Sequence, residues 1–309
     1  MDLMDTPEKP FDSATVESQV QPDGSVLPAA GQQSPFAAPT GLATPAPPEP
    51  YAHLPQDLRV PWTWTDIVIS FFFAIGCLLL AAQVLGVFAA AWGAVQPVEG
   101  AALATRLAVL GVLHTIVTFG LVMLYLGLLV RIRYKRPFWE TIGFRVFRVG
   151  ELSPGWSIAA LVFLGMALSV MVASLSGLIR VEEPIPMQRM FEARESALLF
   201  LLAAVVVAPL VEETLFRGWL YPVVARTFGV AGGVVITGAL FGLMHGAQLG
   251  GHWQLVGLLT LVGVLLTWVR ARTGSVLSSY FLHLGYNALI AIGFIVGTSG
   301  LRNLPTPGQ

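Results

Sequence analysis

Long apolar runs that are nearly free of charge are the feature that most constrains the fold of this chain. They cover residues 67–92, 107–130, 156–179, 196–221, 230–248, 253–269 and 276–296. A helix that crosses a bilayer needs about 20 mostly apolar residues. Only 11% of the 309 residues are charged, whereas a soluble domain has about 25%. The runs therefore predict an all-α, polytopic membrane bundle of about seven transmembrane helices.

The N-terminal region has a different composition. Residues 1–60 hold more than half of the 21 prolines, together with many Ala, Ser, Gln and Gly residues. Such a segment buries too little apolar surface to offset the entropy lost on ordering, so it predicts a disordered tail. We divide the chain into this tail, an accessory part at 61–195 with the first three spans, and a core at 196–300. Within the accessory part, residues 181–195 fit either an interfacial amphipathic helix or a solvated loop.

Basic residues mark one side of the predicted bundle. They lie in the loop at 131–148, at Arg226, and at Arg270 and Arg272, and seven spans place all three loops on the same side. The positive-inside rule makes that side cytoplasmic, together with the N-terminus. We therefore expect an integral protein of a bacterial inner membrane, with the lipid bilayer as one partner. The net charge of −1 gives no reason to expect nucleic acid.

The fourth run carries ionisable residues that are costly in a membrane and therefore indicate a functional site. Glu213 and Arg217 are four residues apart, so they share a helix face and can pair. Glu212 is rotated about 100° from Glu213 and cannot use the same partner equally well. It remains as a carboxylate that faces another group, which is how a base is made inside a protein.

Further polar residues lie in the fifth and seventh runs, which carry His245, and His283 with Asn287, respectively. Four residues separate His283 from Asn287, so both point the same way from a helix. These groups can converge on Glu212 only if the helices pack closely. Small residues permit close packing, and the candidates are Gly238, Ala239, Gly242, Gly246 and Gly285.

Two chemistries fit this set of side chains. A Glu and a His can polarise a water, while a second His and an Asn can donate hydrogen bonds to the oxyanion that forms at an amide carbon. Alternatively, Glu212, His245 and His283 could hold zinc and leave an open position for water. The His-Glu-x-x-His signature of soluble metalloproteases is absent from the sequence.

Three motifs in the apolar runs resemble those of the CPBP intramembrane protease family, the CAAX-processing and bacteriocin-processing (Abi) group that includes the type II CAAX prenyl endopeptidases. They are Glu212-Glu213-x-x-x-Arg217, Phe241-x-x-x-His245 and His283-x-x-x-Asn287. The resemblance covers residues 196–296. Gly218 and the turn Arg272-Thr273-Gly274-Ser275 are also typical of the family.

The resemblance implies an intramembrane endopeptidase and a role for each motif residue. Glu212 would be the general base on water, and His245 would help to activate that water. His283 and Asn287 would stabilise the oxyanion, while Glu213, Arg217 and Phe241 would support the site. No cofactor is favoured, with zinc as the alternative. The substrate would be a peptide or protein, membrane-associated or prenylated by analogy with eukaryotic members.

Two other functions compete with the endopeptidase. A non-enzymatic scaffold or bacteriocin-immunity protein of the same family would use the motif residues for structure alone. A transporter or proton relay would use the same Glu and His groups to carry ions, although no internal repeat of the transporter kind is visible.

Four residues outside the motifs have simpler interpretations. We expect His114 to be a satisfied core histidine, His252 to lie at a membrane interface, and Cys77 to be a buried small side chain. Pro209, just before the glutamates, frees a backbone carbonyl about one turn earlier and either opens a water path or is an incidental kink.

Overall fold

The computed structural model describes residue 51 and residues 54–96, 100–179 and 194–304. The regular elements of these residues are all helical, as predicted. A 3₁₀ turn covers Gln56–Leu58, and the α-helices are α1 Trp64–Val95, α2 Gly100–Leu128, α3 Phe138–Thr141, α4 Pro154–Ser176, α5 Arg194–Leu202, α6 Ala208–Glu213, α7 Tyr221–Met244, α8 Trp253–Thr273 and α9 Val276–Gly297. Three π-helical stretches continue α2, α5 and α6, at Leu129–Arg133, Ala203–Val207 and Thr214–Leu220.

Six helical stretches of the described residues are long and apolar enough to cross a membrane. One of them, Ala197–Met244, has 48 residues, which would extend for about 72 Å as a straight helix. The chain instead reverses at Gly229, whose φ of 75° and ψ of 166° are not helical. After the reversal, a Cβ atom on Gly233 would lie 2.8 Å from the Cα atom of Ala225. The stretch is therefore a helical hairpin, as the predicted fourth and fifth spans require.

The second arm of this hairpin is shorter than predicted. The sequence placed the end of the fifth span at residue 248, but α7 ends at Met244. From the reversal to its end, α7 rises roughly 22 Å, which is less than the hydrocarbon core of about 30 Å. His245, the C-cap residue of α7, therefore lies within the bundle, whereas the longer predicted span put it near the outer face.

Close backbone contacts hold α4 against α9 and α7 against α8. A Cβ atom on Gly165 of α4 would collide with the carbonyl oxygen of Leu282 in α9, and one on Gly285 would collide with that of Val162 in α4. Across the other pair, a Cβ atom on Gly238 would lie 2.5 Å from the backbone nitrogen of Val264. The predicted role of small residues is confirmed at Gly238 and Gly285, and Gly165 is a further close contact that was not predicted.

Residues 54–60 correct the predicted extent of the disordered tail. Leu58 and Val60 are buried, and Asp57 pairs with the buried Arg270 over 2.9 Å. The predicted tail therefore extends too far toward the C-terminus. Its last few residues are ordered because they pack on the helical bundle. The rest of the predicted tail, residues 1–50, 52 and 53, lies outside the described residues. So does 181–193 of the segment predicted as an interfacial helix or loop.

The three basic loops lie on one face of the bundle. Ser275, after α8, donates to the carbonyl oxygen of Arg145 in the 131–148 loop. Arg226 donates to the carbonyl oxygens of Val60 and Trp62, and the same N-terminal segment supplies the partner of Arg270. The predicted common side is therefore confirmed. Arg270 differs from a solvated loop cation because it is 1% exposed.

Candidate active site

A cavity of about 730 Å³ lies among α2, α4, α8, α9 and the hairpin arms. Most of the side chains on its wall are apolar. Its wall also includes the four residues predicted to be catalytic, Glu212, His245, His283 and Asn287. The three segments that carry the motifs are therefore brought to one internal surface.

A fully buried ion pair stands behind this wall. Arg217 Nη1 lies 3.0 Å from Glu213 Oε1, and neither side chain is exposed. The pairing was predicted from the four-residue spacing and is confirmed. Because removing two charges from water is expensive, the pair persists only if the remaining N–H groups of the guanidinium also find acceptors.

Residues of α8 provide those acceptors, and the sequence analysis missed them. Arg217 Nη2 donates to the carbonyl oxygen of Gly263 over 2.9 Å, and Nε donates to Thr267 Oγ1 over 3.2 Å. The guanidinium carbon also lies 4.5 Å from the ring centroid of Phe241. Thr267 could have indicated this contact, because it places a hydroxyl within the apolar run 253–269.

His283 connects the buried pair to the cavity. Its Nδ1 lies 2.9 Å from Glu213 Oε1, and its Nε2 lies 3.8 Å from Glu212 Oε2. Since Arg217 holds Glu213 as a carboxylate, which can only accept, Nδ1 of His283 is the donor. Glu213 thus contacts His283 as well as Arg217. Residue spacing within one helix could not predict this second contact, because His283 lies on α9.

His245 is oriented in the same sense by a different partner. Its Nδ1 lies 2.8 Å from the carbonyl oxygen of Phe241. A carbonyl only accepts, so Nδ1 carries the proton and Nε2 of the neutral ring is left with a lone pair. The ring of Phe241 lies between the two imidazoles, with centroid distances of 4.8 Å to His245 and 5.7 Å to His283. Phe241, the phenylalanine of the second motif, therefore contacts both imidazole rings.

Asn287 is held by a carbonyl that Pro209 leaves free. Its Nδ2 donates to the carbonyl oxygen of Ala204 over 2.7 Å. In the π-helical stretch there, the N–H of Ala208 bonds to the carbonyl five residues earlier, that of Ala203. The next N–H in this pattern would come from residue 209, which is proline and has none. The predicted free carbonyl is therefore present, and it accepts its hydrogen bond from Asn287.

His114 and His252, the two other histidines within the described residues, lie away from this arrangement. His114 Nε2 contacts the carbonyl oxygen of Leu78 over 3.1 Å and so joins α2 to α1. Its side chain has the predicted partner, but it is only half-buried and does not lie in the core. His252 is the N-cap residue of α8 and is not part of the cavity wall. Cys77 is buried and free.

The alternative zinc site is not supported by the positions of its predicted ligands. No group of three His, Cys, Asp or Glu side chains among those residues is arranged to hold a metal ion. Glu212, His245 and His283, the predicted alternative zinc ligands, line one cavity but do not form such a group. We therefore derive no step of a reaction through a metal.

Comparison with known protein families connects this geometry to a described group. Residues 194–289 match the family model described as Type II CAAX prenyl endopeptidase Rce1-like. This segment is an Rce1-like domain. The match confirms the resemblance read from the three motifs, and it includes α5 to α8 and the part of α9 that carries His283 and Asn287. No curated protein and no solved structure matched the chain in the same comparisons.

The Rce1-like family is a family of proteases. The apolar helices and the match support an integral, multi-pass membrane protein, of which residues 194–289 are similar to the CAAX-protease family. The first three spans, α1, α2 and α4, lie outside the matched residues, yet α2 and α4 form part of the cavity wall.

Proposed function

We propose that this protein is an intramembrane endopeptidase that hydrolyses a peptide bond with a water activated by Glu212 and His245. The observation that carries the proposal is the pair formed by Glu212 and His283 on the wall of an apolar cavity, 3.8 Å apart. The second contact of that imidazole, to the buried Glu213, fixes the ring in place. Catalytic groups held by buried partners are the kind of preorganised arrangement that stabilises a transition state.

In the proposed first step, Glu212 accepts a proton from a water while the water oxygen attacks the carbonyl carbon of the substrate. Glu212 suits this role because it lines the cavity and is only 17% exposed, so few water molecules compete for its oxygens. The lone pair on Nε2 of His245 accepts the second hydrogen bond of the water and orients it.

The oxyanion that forms on the carbonyl oxygen is stabilised by His283. A hydrogen bond from His283 to the oxyanion requires a proton on Nε2, the nitrogen that lies 3.8 Å from Glu212 Oε2. With Nδ1 bonded to Glu213, that Nε2–H is the group available to the oxyanion. The second N–H of the Asn287 amide, the one not bonded to Ala204, is a further donor.

In the second step the tetrahedral intermediate collapses and the carbon–nitrogen bond breaks. The leaving nitrogen takes the proton that Glu212 received from water, which returns Glu212 to a carboxylate. The products are a carboxylic acid and an amine, which exchange a proton to become a carboxylate and an ammonium, and no covalent intermediate with the protein is needed. The proposed substrate is a membrane-associated peptide or protein, in keeping with a cavity that opens among membrane helices.

The proposed location is a bacterial inner membrane with the basic face, and the N-terminus, in the cytoplasm. The support is the common side of the three basic loops. Single cysteines at the exposed positions Arg148 and Asn303, in a variant in which Cys77 is replaced by Ala, would report the two ends of the bundle to a membrane-impermeant thiol reagent. Labelling of residue 148 from outside intact cells would contradict the proposed orientation.

Cleavage of a peptide library by the purified full-length chain tests the proposed activity. Glu212→Gln keeps the shape of the side chain but removes the base, so we expect a fall in turnover of at least about a hundredfold. Glu151→Gln, the same change at an exposed loop position, is the matched control and should cleave like the wild type. Addition of a chelator should leave the rate unchanged.

Three outcomes would contradict parts of the proposal. Full cleavage by Glu212→Gln would remove the assigned base. A rate that falls with chelator and returns with added zinc would replace the activated-water mechanism with a metal mechanism. A wild-type chain that cleaves no substrate, while a cellular phenotype survives Glu212→Gln, would favour a scaffold or immunity protein over an enzyme.

A further inference from the structure

We infer that Tyr286 is a substrate-binding residue of the cavity, and that its hydroxyl donates a hydrogen bond to a backbone carbonyl of the bound peptide next to the cleaved bond. This inference rests on the proposed endopeptidase function, because it concerns the substrate of the same site. It follows from the free hydroxyl of Tyr286, from the position of this residue on α9, and from what a peptide needs in an apolar cavity.

The hydroxyl of Tyr286 lacks a hydrogen-bond partner within the described residues. The side chain is only 5% exposed and belongs to a core cluster with apolar residues of α4, α7 and α8. Buried tyrosine hydroxyls usually have a partner, because an unpaired polar group in an apolar region is costly. His283 and Asn287 on the same helix each have one. The hydroxyl of Tyr286 is therefore available to a ligand.

Tyr286 lines the same cavity as His283 and Asn287. Around the axis of α9, Tyr286 lies about 60° to one side of His283 and Asn287 lies about 40° to the other side. Asn287 bonds to Ala204 of the hairpin, whereas a Cβ atom on Gly165 of α4 would lie 2.8 Å from the backbone nitrogen of Tyr286. A peptide that passes His283 therefore has an amide on the hairpin side and a phenol on the α4 side.

A bound peptide needs donors for its carbonyl groups in this cavity. Most of the wall is apolar, and a carbonyl that enters it from water loses its hydrogen bonds unless the wall replaces them. The donors of His283 and Asn287 are assigned to the carbonyl that reacts. Tyr286 lies about 4.5 Å beyond His283 along the helix axis, and an extended peptide advances about 3.3–3.6 Å per residue. The phenol therefore suits a carbonyl adjacent to the one that reacts.

A hydrogen bond to this neighbouring carbonyl affects binding rather than chemistry. The neighbouring carbonyl gains no charge in the reaction, so the contact is equally strong before and during the attack of water. Its loss should weaken the binding of the peptide and leave the chemical step unaffected. This effect differs from the one expected for Glu212, which acts on the reacting atoms.

Tyr286→Phe in the full-length chain removes the hydroxyl and keeps the ring. We expect KM for a cleaved apolar peptide to rise about five- to tenfold, with kcat within about twofold of the wild type. Tyr280→Phe is the matched control, since Tyr280 lies on the same helix but is not part of the wall, and its KM should be unchanged. An unchanged KM in Tyr286→Phe, or a fall in kcat at constant KM, would overturn the inference.

Binding without turnover provides the second measurement. The Glu212→Gln chain should bind the same peptide without cleaving it, and adding Tyr286→Phe should weaken that binding by the same factor as KM. Equal affinities of the single and the double variant would contradict the inference.

A change in the substrate tests the same hydrogen bond in the wild-type chain. Two further peptides carry a thioamide, whose sulfur is a weaker acceptor, either one residue before or one residue after the reacting carbonyl. We expect one of the two to have a higher KM than the unmodified peptide in the wild type, and the difference to disappear in Tyr286→Phe. A wild type with the same KM for all three peptides would overturn the inference, even if Tyr286→Phe did not fold.

Failure of the inference and failure of the proposed function give different results. If the wild type cleaves peptides in a Glu212-dependent manner but Tyr286→Phe has an unchanged KM, only the inference fails. If no peptide is cleaved in a Glu212-dependent manner, the proposed function itself fails.

Discussion

The α1–α2 pair and the α4–α9 pair are both apolar helix pairs, but their backbones approach each other very differently. In α1 and α2, a Cβ atom added to Gly86 or Gly120 would meet nothing within 4 Å. In α4 and α9, a Cβ atom added to Gly165 or Gly285 would collide with a carbonyl oxygen of the other helix. Of these two pairs, α4 and α9 are the one in which these glycines allow close backbone contact, and α9 carries the motif with His283 and Asn287.

The difference indicates what close packing does in this protein. Lipid solvates the apolar side chains of α1 and α2 well, so nothing requires their backbones to touch. In contrast, α9 carries His283, whose Nδ1 must remain within hydrogen-bond distance of Glu213 on another helix. A displacement of α9 by one ångström would break that contact. Backbone contact is therefore concentrated where the polar groups need a fixed position.

Loss of the buried cation should give the largest effect in this comparison. Arg217→Leu leaves Glu213 buried without its ion-pair partner, and we expect a loss of about 3–5 kcal/mol in the free energy of unfolding. The combined Glu213→Leu and Arg217→Leu variant removes both charges and should recover most of that loss while remaining inactive. Denaturation of the purified proteins in detergent measures both. A double variant no more stable than Arg217→Leu would refute the unpaired-charge explanation.

The glycine contrast itself should give the next largest effect. Gly285→Ala forces α9 away from α4, so we expect a loss of about 1–3 kcal/mol in the free energy of unfolding together with reduced cleavage. Gly120→Ala is the matched change in α1 and α2, the open pair, whose glycines Gly86 and Gly120 have free space around them. It should be neutral or stabilising by up to about 1 kcal/mol, because alanine favours helix. Equal effects of the two substitutions on unfolding would erase the distinction between the pairs.

A smaller effect on stability is expected from Asn287. Asn287→Ala leaves the carbonyl of Ala204 without a donor, and we expect a loss of about 1 kcal/mol and slower cleavage. Adding Pro209→Ala supplies an N–H for that carbonyl, so the double variant should regain stability. Recovery of cleavage as well would show that Asn287 acts by positioning the helix. Recovery of stability without cleavage would show that its amide also contacts the reacting group.

The smallest effect should come from the only histidine of the open pair. His114→Leu removes one hydrogen bond to the carbonyl of Leu78. Because Leu78 lies within α1, its carbonyl still has a backbone N–H donor in that helix. We expect a loss below about 1 kcal/mol in the free energy of unfolding and an unchanged cleavage rate. A cleavage rate that fell as far as the rate expected for Glu212→Gln would implicate α1 and α2 in the chemistry and contradict the comparison.

The sequence was most informative where a charge in an apolar run demanded a partner. Glu213 and Arg217 were paired correctly because helix geometry alone sets their separation. The contact of Glu213 with His283 lies between separate helices, and spacing within one helix carries no information about it. The acceptors Gly263 and Thr267 were missed for the same reason. Both are acceptors for Arg217 because α8 packs against the fourth span.

Errors in the predicted boundaries had local causes. The sequence predicts a fifth span to residue 248, whereas α7 ends at Met244. Pro55 and the many prolines before it made residues 54–60 resemble a tail. Their burial depends on a surface that forms only when the helices assemble, so no pattern within those residues could indicate it.

Trp62 shows how far the matched domain depends on residues outside it. Its ring stacks on that of Trp219 with centroids 4.3 Å apart, and its Nε1 donates to the carbonyl oxygen of Trp219. Trp62 itself is wholly enclosed. The family match begins at residue 194, but an excised piece starting there would expose the surface that Trp62 covers. A shortened chain meant to keep the bundle intact should therefore begin before residue 54.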